Sequence, residues 1–429
     1  MAIGFKERVG MTLLGRGATI ALGLVSSILT ARYLGPDGRG VLAALSVITG
    51  MALQFGNPGL HSGNVYFVAR DPRRTAAVLG NTFVVSVAAG LLFGAVTALA
   101  AWMRPAWFPG MPYGLIAITA VVLPFQFMIL LYQNTLLGMN EIAAFNLFEV
   151  GNKAITFALL AGWLVLFGGG PRGAVVLFAA MGVLFGVASV LYCARRAPFR
   201  PVLDRALFGE MLHYGVRVYV SCLLMYLVIR SDLLLVNYYR GVAETGVYSI
   251  AVQIADTLLL LPVTIGMILL PRVAGERQDR QDGVTARVLR HTVFLMTVLC
   301  AAVFVLVEPV VRLLYGPDFE GAILATRCLL PGVWSLGVNG VLMNHFGGQG
   351  MPGVTITAPA LGLLLNVALN LAMVPRFGIL GAALSSSAAY ALMLAVSLVT
   401  FVRRGRLRLR DSLLMKTEDV RFILGHQGP

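Results

Sequence analysis

Residues 76–102 read AAVLGNTFVVSVAAGLLFGAVTALAAW, a run of 27 residues without one charged side chain. About 20 consecutive apolar residues allow an α-helix to cross a hydrocarbon core about 30 Å thick. Similar runs recur from one end of the chain to the other, with short polar segments between them. This pattern predicts a series of helices that span a lipid bilayer.

The composition of the whole chain agrees with this pattern. Of the 429 residues, 58% are hydrophobic and 12% are charged, and the mean hydropathy is +0.83. A soluble domain carries about 25% charged residues, so this composition excludes a water-soluble fold of the same size. The predicted fold class is all-α, a polytopic membrane protein.

Apolar runs between turn-forming clusters predict about twelve transmembrane helices. An even number of spans places both termini on the same side of the membrane. The second span is interrupted by Asn57, Pro58 and Gly59, which predicts a kinked or two-part helix. The predicted spans are residues 11–34, 40–69, 76–102, 112–138, 143–167, 173–194, 213–239, 243–271, 288–314, 320–346, 354–374 and 379–402.

The distribution of Arg and Lys predicts which side the termini occupy. With the N-terminus inside, the cytoplasmic segments hold 21 basic residues and the opposite loops hold 8. Basic residues in short loops are retained in the cytoplasm, so we expect both termini to be cytoplasmic, in a bacterial inner membrane. This placement also explains the net charge of +14 without a nucleic-acid partner.

The two halves of the chain contain the same short motifs at the ends of corresponding apolar runs. The motif Tyr-x-Gly followed by Gly-Val occurs at residues 33–41 and again at residues 239–247, an offset of 206 residues. Asn134 recurs as Asn344, at an offset of 210. Six spans separate the copies, which predicts parallel repeats related by an axis along the membrane normal. We therefore expect two pseudo-symmetric six-helix lobes around a central cavity. The predicted domains are an N-terminal lobe (1–200), a C-terminal lobe (201–402) and a basic cytoplasmic tail (403–429).

Two arginines open corresponding spans of the two halves. Arg16 lies near the start of the first span and Arg217 near the start of the seventh. Either side chain alone could extend back to the lipid headgroups. Their matching positions favour a shared cavity, where two guanidinium groups would suit a pyrophosphate. We predict that both bind the substrate.

Further charges lie inside the predicted spans. Glu149 and Lys153 are four residues apart in the fifth span and could form an intrahelical pair, or Lys153 could face the cavity and bind substrate. Charges at the bilayer centre are costly, so each of them needs a partner or a cavity.

The seventh and eighth spans carry a predicted ion pair. Arg230 lies 13 residues beyond Arg217, about 20 Å further along the seventh span. Asp256 lies on the eighth span, which runs in the opposite direction, at a similar height in the membrane. We expect these two side chains to be close, either as a structural pair or as a gating pair in which Arg230 also meets the substrate. Asp232 points to a different face and is an alternative partner of Arg230 across a bend.

Enzyme and cofactor motifs are missing from the sequence. The four cysteines and five histidines form no metal-binding spacing, and the chain has no P-loop. We expect neither a metal nor a cofactor, no catalytic residue and no enzyme activity.

Several stretches together resemble bacterial polysaccharide repeat-unit flippases, which transport lipid-linked oligosaccharides. The similarity extends over nearly the whole chain and rests on the order of Gly, Pro and aromatic motifs. The stretches are residues 14–17, 31–40, 214–217, 230–232, 246–251, 270–272, 314–319, 330–332 and 378–383, with Asn366 and Asn370.

The resemblance implies the multidrug/oligosaccharidyl-lipid/polysaccharide exporter superfamily. Its members have two six-helix lobes that open alternately to each side, and a cationic cavity lined partly by the first and seventh helices. Arg16 and Arg217 match the basic cavity positions in kind.

The function that follows is a flippase for a polyprenyl-pyrophosphate-linked oligosaccharide, used in polysaccharide biosynthesis. Its partners would be the glycan substrate, membrane lipids and, as a candidate, a polysaccharide polymerase or export complex. The alternatives are a multidrug cation antiporter of the same superfamily, which would favour acidic cavity residues, and a peptidoglycan-precursor flippase. A membrane glycosyltransferase or polymerase is disfavoured because the predicted outer loops are short.

Overall fold

The computed structural model describes residues 5–350, 352–405, 410 and 413–415, and their side chains except those of residues 5–14, 16, 217, 278–280 and 352. Most of the predicted basic tail, residues 403–429, lies outside this part of the chain. The described residues form ten α-helices and no strand, which confirms the all-α fold class. The helices are α1 (Phe5–Gly56), α2 (Leu60–Arg70), α3 (Thr75–Met103), α4 (Tyr113–Gly138), α5 (Ile142–Ala161), α6 (Pro171–Arg196), α7 (Arg205–Gly275), α8 (Gln278–Val310), α9 (Gly321–Gly348) and α10 (Pro352–Gly405).

Three long helices contain one glycine with a non-helical backbone. Gly35 in α1, Gly241 in α7 and Gly378 in α10 have φ values of 64°, 82° and 58°. Residues with a Cβ atom rarely adopt positive φ, which explains why glycine occupies these sharp turns. Each glycine lies between two predicted spans, so the sequence correctly predicted where these helices bend.

The predicted interruption of the second span is also confirmed. Helix α1 ends at Gly56, and α2 begins at Leu60 after Gly59, whose φ is 84°. Unpaired backbone at membrane depth is tolerated where it is covered by protein or lines a cavity. The break therefore marks the start of α2 as a region that could line a cavity.

By length and hydropathy, nine helices of the described chain are suited to cross a membrane. Three of them contain the glycine bends, so they divide into twelve helical segments, although the exact number of crossings stays a prediction. Large apolar side chains cover the outer surface, among them Val121, Leu166 and Leu313, which are 72%, 78% and 71% exposed. Such a surface needs lipid as its solvent, and the chain is a multi-pass membrane protein.

The chain packs as two compact units. Unit 1 comprises Met1–Leu223 with Gly241–Gly246, and unit 2 comprises Leu224–Arg240 with Val247–Pro429. The predicted lobe boundary at residue 200 stays a prediction. The core of unit 1 includes Leu79, Tyr132 and Leu136, all fully buried. The core of unit 2 is formed by apolar residues of α7 to α10.

Within unit 1, three turns lie together, and two of them are rich in arginine. Arg74 forms a salt bridge with Glu210 (2.9 Å), and Arg196 forms one with Glu141 (3.2 Å). These contacts join the α2–α3, α4–α5 and α6–α7 turns at one end of the unit. The sequence predicts all three turns on the cytoplasmic side.

Candidate functional site

Unit 1 contains an open cavity of about 630 Å³. It lies between α2, α4 and the first part of α7, toward the end of the unit where the basic turns meet. Polar and aromatic side chains form most of its wall. The lining residues are His61, Ser62, Val65, Tyr66, Ala69, Arg70, Asn134 and Tyr214. We call it the α2–α7 cavity.

Glycines bring α7 close to α2 beside this cavity. A Cβ atom at Gly59 would overlap with the backbone of Gly215, and a Cβ at Gly215 would overlap with that of Gly59. A Cβ at Gly63 would lie 3.2 Å from the Met211 carbonyl oxygen. Small residues permit such a close approach of transmembrane helices, so the sequence itself fixes the distance between the two walls of the cavity.

Two stacked tyrosines and an arginine form one side of the cavity. The rings of Tyr66 and Tyr214 are nearly parallel, with centroids 4.2 Å apart and an interplanar angle of 16°. Arg70 Nη1 donates to Tyr66 Oη (2.6 Å), and its guanidinium lies 5.7 Å from the centre of the same ring. This hydrogen bond positions one edge of the guanidinium and leaves its other donors available for a ligand.

His61 is held by the break before α2. Asn57 Oδ1 accepts from the backbone N–H of His61 (3.2 Å), which leaves Asn57 Nδ2 to face His61 Nδ1 (2.9 Å). Because an amide nitrogen only donates, Nδ1 must accept, and the neutral ring carries its hydrogen on Nε2. His61 therefore has a donor at the Nε2 end of the ring.

The lining is basic and contains no carboxylate among the residues that the structure describes. Arg70 supplies a permanent positive charge, and His61, Ser62 and Asn134 supply neutral polar groups. Such a wall suits an anionic ligand with hydroxyl groups better than a cation.

Arg16 and Arg217 lie on helices of unit 1, and their side chains fall outside the described part of the structure. Arg16 follows Gly15, where a Cβ atom would lie 3.3 Å from the side chain of Asn146 on α5. Arg217 follows Tyr214 by three residues on α7, about one helical turn. Their roles in substrate binding stay predictions.

Glu149 and Lys153 do not form the intrahelical pair that their spacing favours. Both side chains are described, and no salt bridge joins them; Glu149 is half-buried and Lys153 is exposed. Holding two long side chains in one geometry costs conformational entropy, and the attraction between exposed charges barely offsets that cost. A spacing of four residues is therefore not sufficient to form an ion pair. The alternative, that Lys153 faces the substrate, stays a prediction.

Unit 2 contains the ion pair that the sequence predicts. Arg230 Nη2 donates to Asp256 Oδ2 over 2.7 Å, and the side chains are 27% and 33% exposed. Both residues belong to α7, on opposite sides of its bend at Gly241. The predicted contact is confirmed, whereas its part in gating stays a prediction.

The hydrogen-bond partners of Asp232 are residues other than Arg230. Its carboxylate accepts hydrogen bonds from Tyr248 Oη (2.7 Å), Ser386 Oγ (3.0 Å) and the backbone N–H of Leu233 (2.8 Å). The residue is 1% exposed. These three donors compensate its burial, and the salt bridge of Arg230 goes to Asp256.

The polar network around Asp232 continues along α10. Asn366 Nδ2 donates to Ser386 Oγ (3.2 Å), and Asn370 Nδ2 donates to Asn366 Oδ1 (3.0 Å). All three side chains are fully buried. Oxygen atoms of this set could accept a proton or a small hard cation. In the described part of the chain, no three His, Cys, Asp or Glu residues are grouped as metal ligands.

The family model "Polysaccharide biosynthesis protein" matches residues 29–324, more than half of the chain. The chain belongs to this family. The match confirms the family that the motifs predict, and it includes the α2–α7 cavity and the Arg230–Asp256 pair.

This polysaccharide biosynthesis protein has relatives of low sequence identity. AglR, a probable flippase of Haloferax volcanii, is 24% identical over 165 residues, which are 36% of this chain and 34% of AglR. The chain spans 34% to 62% of the length of the curated relatives that it matches.

Solved transporters have the same fold as this polysaccharide biosynthesis protein. The lipid II flippase MurJ, in an inward closed conformation, gives a TM-score of 0.77 at 14% identity, over 93% of this chain and 89% of MurJ. An inward-facing multidrug resistance transporter of the MATE family gives 0.71 at 16% identity, over 91% and 94%. The TM-scores establish a shared fold.

The residues of the α2–α7 cavity were not among the predicted site residues. His61, Tyr66 and Arg70 carry no motif of their own. Tyr214 opens one of the stretches that resemble the flippases, and Asn134 was noted only as part of a repeat. The break at residues 57–59 was the available signal, because broken helices at membrane depth line cavities in transporters.

Proposed function

We propose that this protein is a flippase for a polyprenyl-pyrophosphate-linked oligosaccharide. It moves the headgroup from the cytoplasmic to the periplasmic leaflet of a bacterial inner membrane by alternating access, while the prenyl tail stays in lipid. The protein binds the headgroup in two conformations and lowers the barrier between them. The glycan is then used for polysaccharide biosynthesis.

The observation that carries this proposal is the charge of the α2–α7 cavity. Its wall combines Arg70 with neutral polar and aromatic side chains, and no carboxylate is found among its described residues. A cation transporter would favour acidic side chains facing its cargo, whereas a pyrophosphate requires basic ones. The family match supports polysaccharide biosynthesis as the pathway.

Arg16 and Arg217 are the proposed ligands of the pyrophosphate. The backbone of Arg217 lies one turn beyond Tyr214, which lines the cavity. Lys153, exposed on α5, is a third proposed basic contact.

The Arg230–Asp256 pair is the proposed gating contact. Its partial exposure would allow the two groups to separate when the cavity opens, and Arg230 could then meet the substrate. Asp232 would hold the bend of α7 in place through its hydrogen bonds to Tyr248 and Ser386. We assign Glu149 only a supporting role on α5, close to Lys153.

The proposed setting follows the charge distribution. Both termini would lie in the cytoplasm, where the newly made glycan is loaded. A polysaccharide polymerase or export complex would take the product at the other leaflet.

Reconstitution tests the proposal directly. The purified protein is placed in liposomes that contain a fluorescent lipid-linked glycan, and the fraction that becomes accessible to an outside quencher is measured. We expect transfer with the wild type, and its loss in Arg16→Ala and Arg217→Ala at unchanged expression. Arg172→Ala, an exposed arginine at the start of α6, is the matched control and should retain transfer.

A second cargo separates this proposal from its rival. The same liposomes are tested with a lipophilic cation. Transport of the cation without the glycan would favour a multidrug antiporter and reject the flippase.

A further inference from the structure

We propose that the α2–α7 cavity is a subsite for the sugar attached directly to the pyrophosphate, with Arg70 contacting the phosphate. This inference rests on the proposed function and adds to it a binding site for the carbohydrate itself. The cavity volume of about 630 Å³ falls within the range of about 300 to 1,000 Å³ that is usual for small-molecule sites.

The aromatic pair supplies a surface for the sugar ring. One face of Tyr214 is covered by Tyr66 at 4.2 Å, while 42% of Tyr214 is exposed. The face of an aromatic ring carries partial negative charge and attracts the polarised C–H groups on the apolar face of a pyranose. The stack on Tyr66 holds the ring of Tyr214 in place, which limits the entropy that ligand binding would cost.

Other lining residues supply hydrogen-bonding groups of both kinds. His61 carries its hydrogen on Nε2, as its contact with Asn57 requires, and can donate. Asn134 uses its Nδ2 to donate to the Leu130 carbonyl (2.8 Å), which leaves Oδ1 as an acceptor. Ser62 both donates and accepts. Sugar hydroxyls also do both, so this mixture matches a carbohydrate better than an apolar drug.

Arg70 lies at the other end of α2 from Gly59, and we assign it to the phosphate of an entering headgroup, before Arg16 and Arg217 bind that phosphate. Its Nη1 is held by Tyr66 Oη at 2.6 Å, and the remaining donors of the planar fork match phosphate oxygens. Arg70 and His61 are nine residues apart on α2, about 13 Å along a helix. The two ends can therefore contact different parts of one headgroup.

Binding to two short probes tests the subsite. Wild-type protein in nanodiscs is titrated calorimetrically with geranyl pyrophosphate and with geranyl-pyrophosphoryl-N-acetylglucosamine. We expect the sugar to tighten binding by about tenfold, equivalent to about 1.4 kcal/mol. Tyr214→Ala should abolish this gain, and Tyr214→Phe should retain it. Tyr238→Ala, on α7 outside the cavity, is the control.

Asn134→Ala is a second variant that does not depend on the stack. Loss of one hydrogen-bond acceptor should reduce the gain in affinity from the sugar by about fivefold. Arg70→Gln should weaken the binding of both probes. Thermal unfolding identifies any variant that is misfolded.

The outcomes distinguish the two proposals. If the wild type binds neither probe, the proposed function fails. If it binds both equally, or if Tyr214→Ala and Asn134→Ala retain the full gain from the sugar, the subsite is rejected and the flippase proposal stands.

Discussion

The guanidinium of Arg230 and the carboxylate of Asp256 meet at 2.7 Å across the bend of α7. Arg230 precedes Gly241 and Asp256 follows it, so the pair joins the two parts of α7 that the bend separates. Each side chain remains about a third exposed, which distinguishes this pair from a fully desolvated one. The contact therefore joins the two parts of the helix in unit 2.

Removing one partner of this pair should destabilise the protein. For Arg230→Gln or Asp256→Asn we expect a loss of about 1 to 3 kcal/mol in the free energy of unfolding. Breaking a fully buried pair costs about 3 to 5 kcal/mol. The loss is smaller here because water screens the partly exposed charges. The double swap of Arg230→Asp with Asp256→Arg should restore most of the stability and of the glycan transfer. Thermal unfolding in detergent and the liposome assay measure the two effects.

Arg312→Gln is the control for these variants, since this arginine is 57% exposed in its own ion pairs. It should change stability by less than about 1 kcal/mol. If the double swap is as defective as the single variants, the charges do not act as a pair.

The Gly59–Gly215 contact gives a prediction about packing. Gly215→Ala would place a Cβ atom against the Gly59 backbone, which has no side chain that could move aside. We expect a loss of about 1 to 3 kcal/mol, as for other overpacked sites. Gly209→Ala is the control on the same helix, because a Cβ there meets nothing within 4 Å. It should be neutral or slightly stabilising; equal losses in both variants would contradict the contact.

The sequence predicts the helices of this protein well because their determinants are local. Apolar length specifies the spans, and Gly35, Gly241 and Gly378 bend the chain where a positive φ is required. The Arg230–Asp256 contact was predictable for a related reason. The two residues lie on consecutive segments of the chain, and helical rise places them at a similar height.

The candidate site depends on contacts between distant residues, which one sequence does not specify. Tyr66 and Tyr214 belong to different helices, and Ser386 bonds to Asp232 from 154 residues away. Conversely, the spacing of Glu149 and Lys153 allowed an intrahelical pair, and no salt bridge joins the two side chains. Tertiary packing, rather than spacing, decides which polar groups meet.

The buried carboxylate of Asp232 should depend on Tyr248. Tyr248→Phe removes the donor at 2.7 Å and leaves Ser386 and a backbone N–H. Hydrogen bonds to charged groups contribute about 1.5 to 3 kcal/mol, and we expect a loss of that size in thermal unfolding. Tyr238→Phe, on an exposed tyrosine, should be neutral. If both variants unfold at the wild-type temperature, this hydrogen bond does not stabilise the fold.

The predicted orientation can be measured with single cysteines. The four native cysteines are replaced by Ala, and Ala106→Cys or Pro201→Cys is introduced at an exposed position. Pro201 lies among Arg195, Arg196 and Arg205, which should retain this loop in the cytoplasm. In intact cells, a membrane-impermeant maleimide should therefore label Ala106→Cys and not Pro201→Cys, and lysis should make both reactive. Labelling of Pro201→Cys before lysis would place the basic end outside, where a glycan made in the cytoplasm could not enter the α2–α7 cavity from that end.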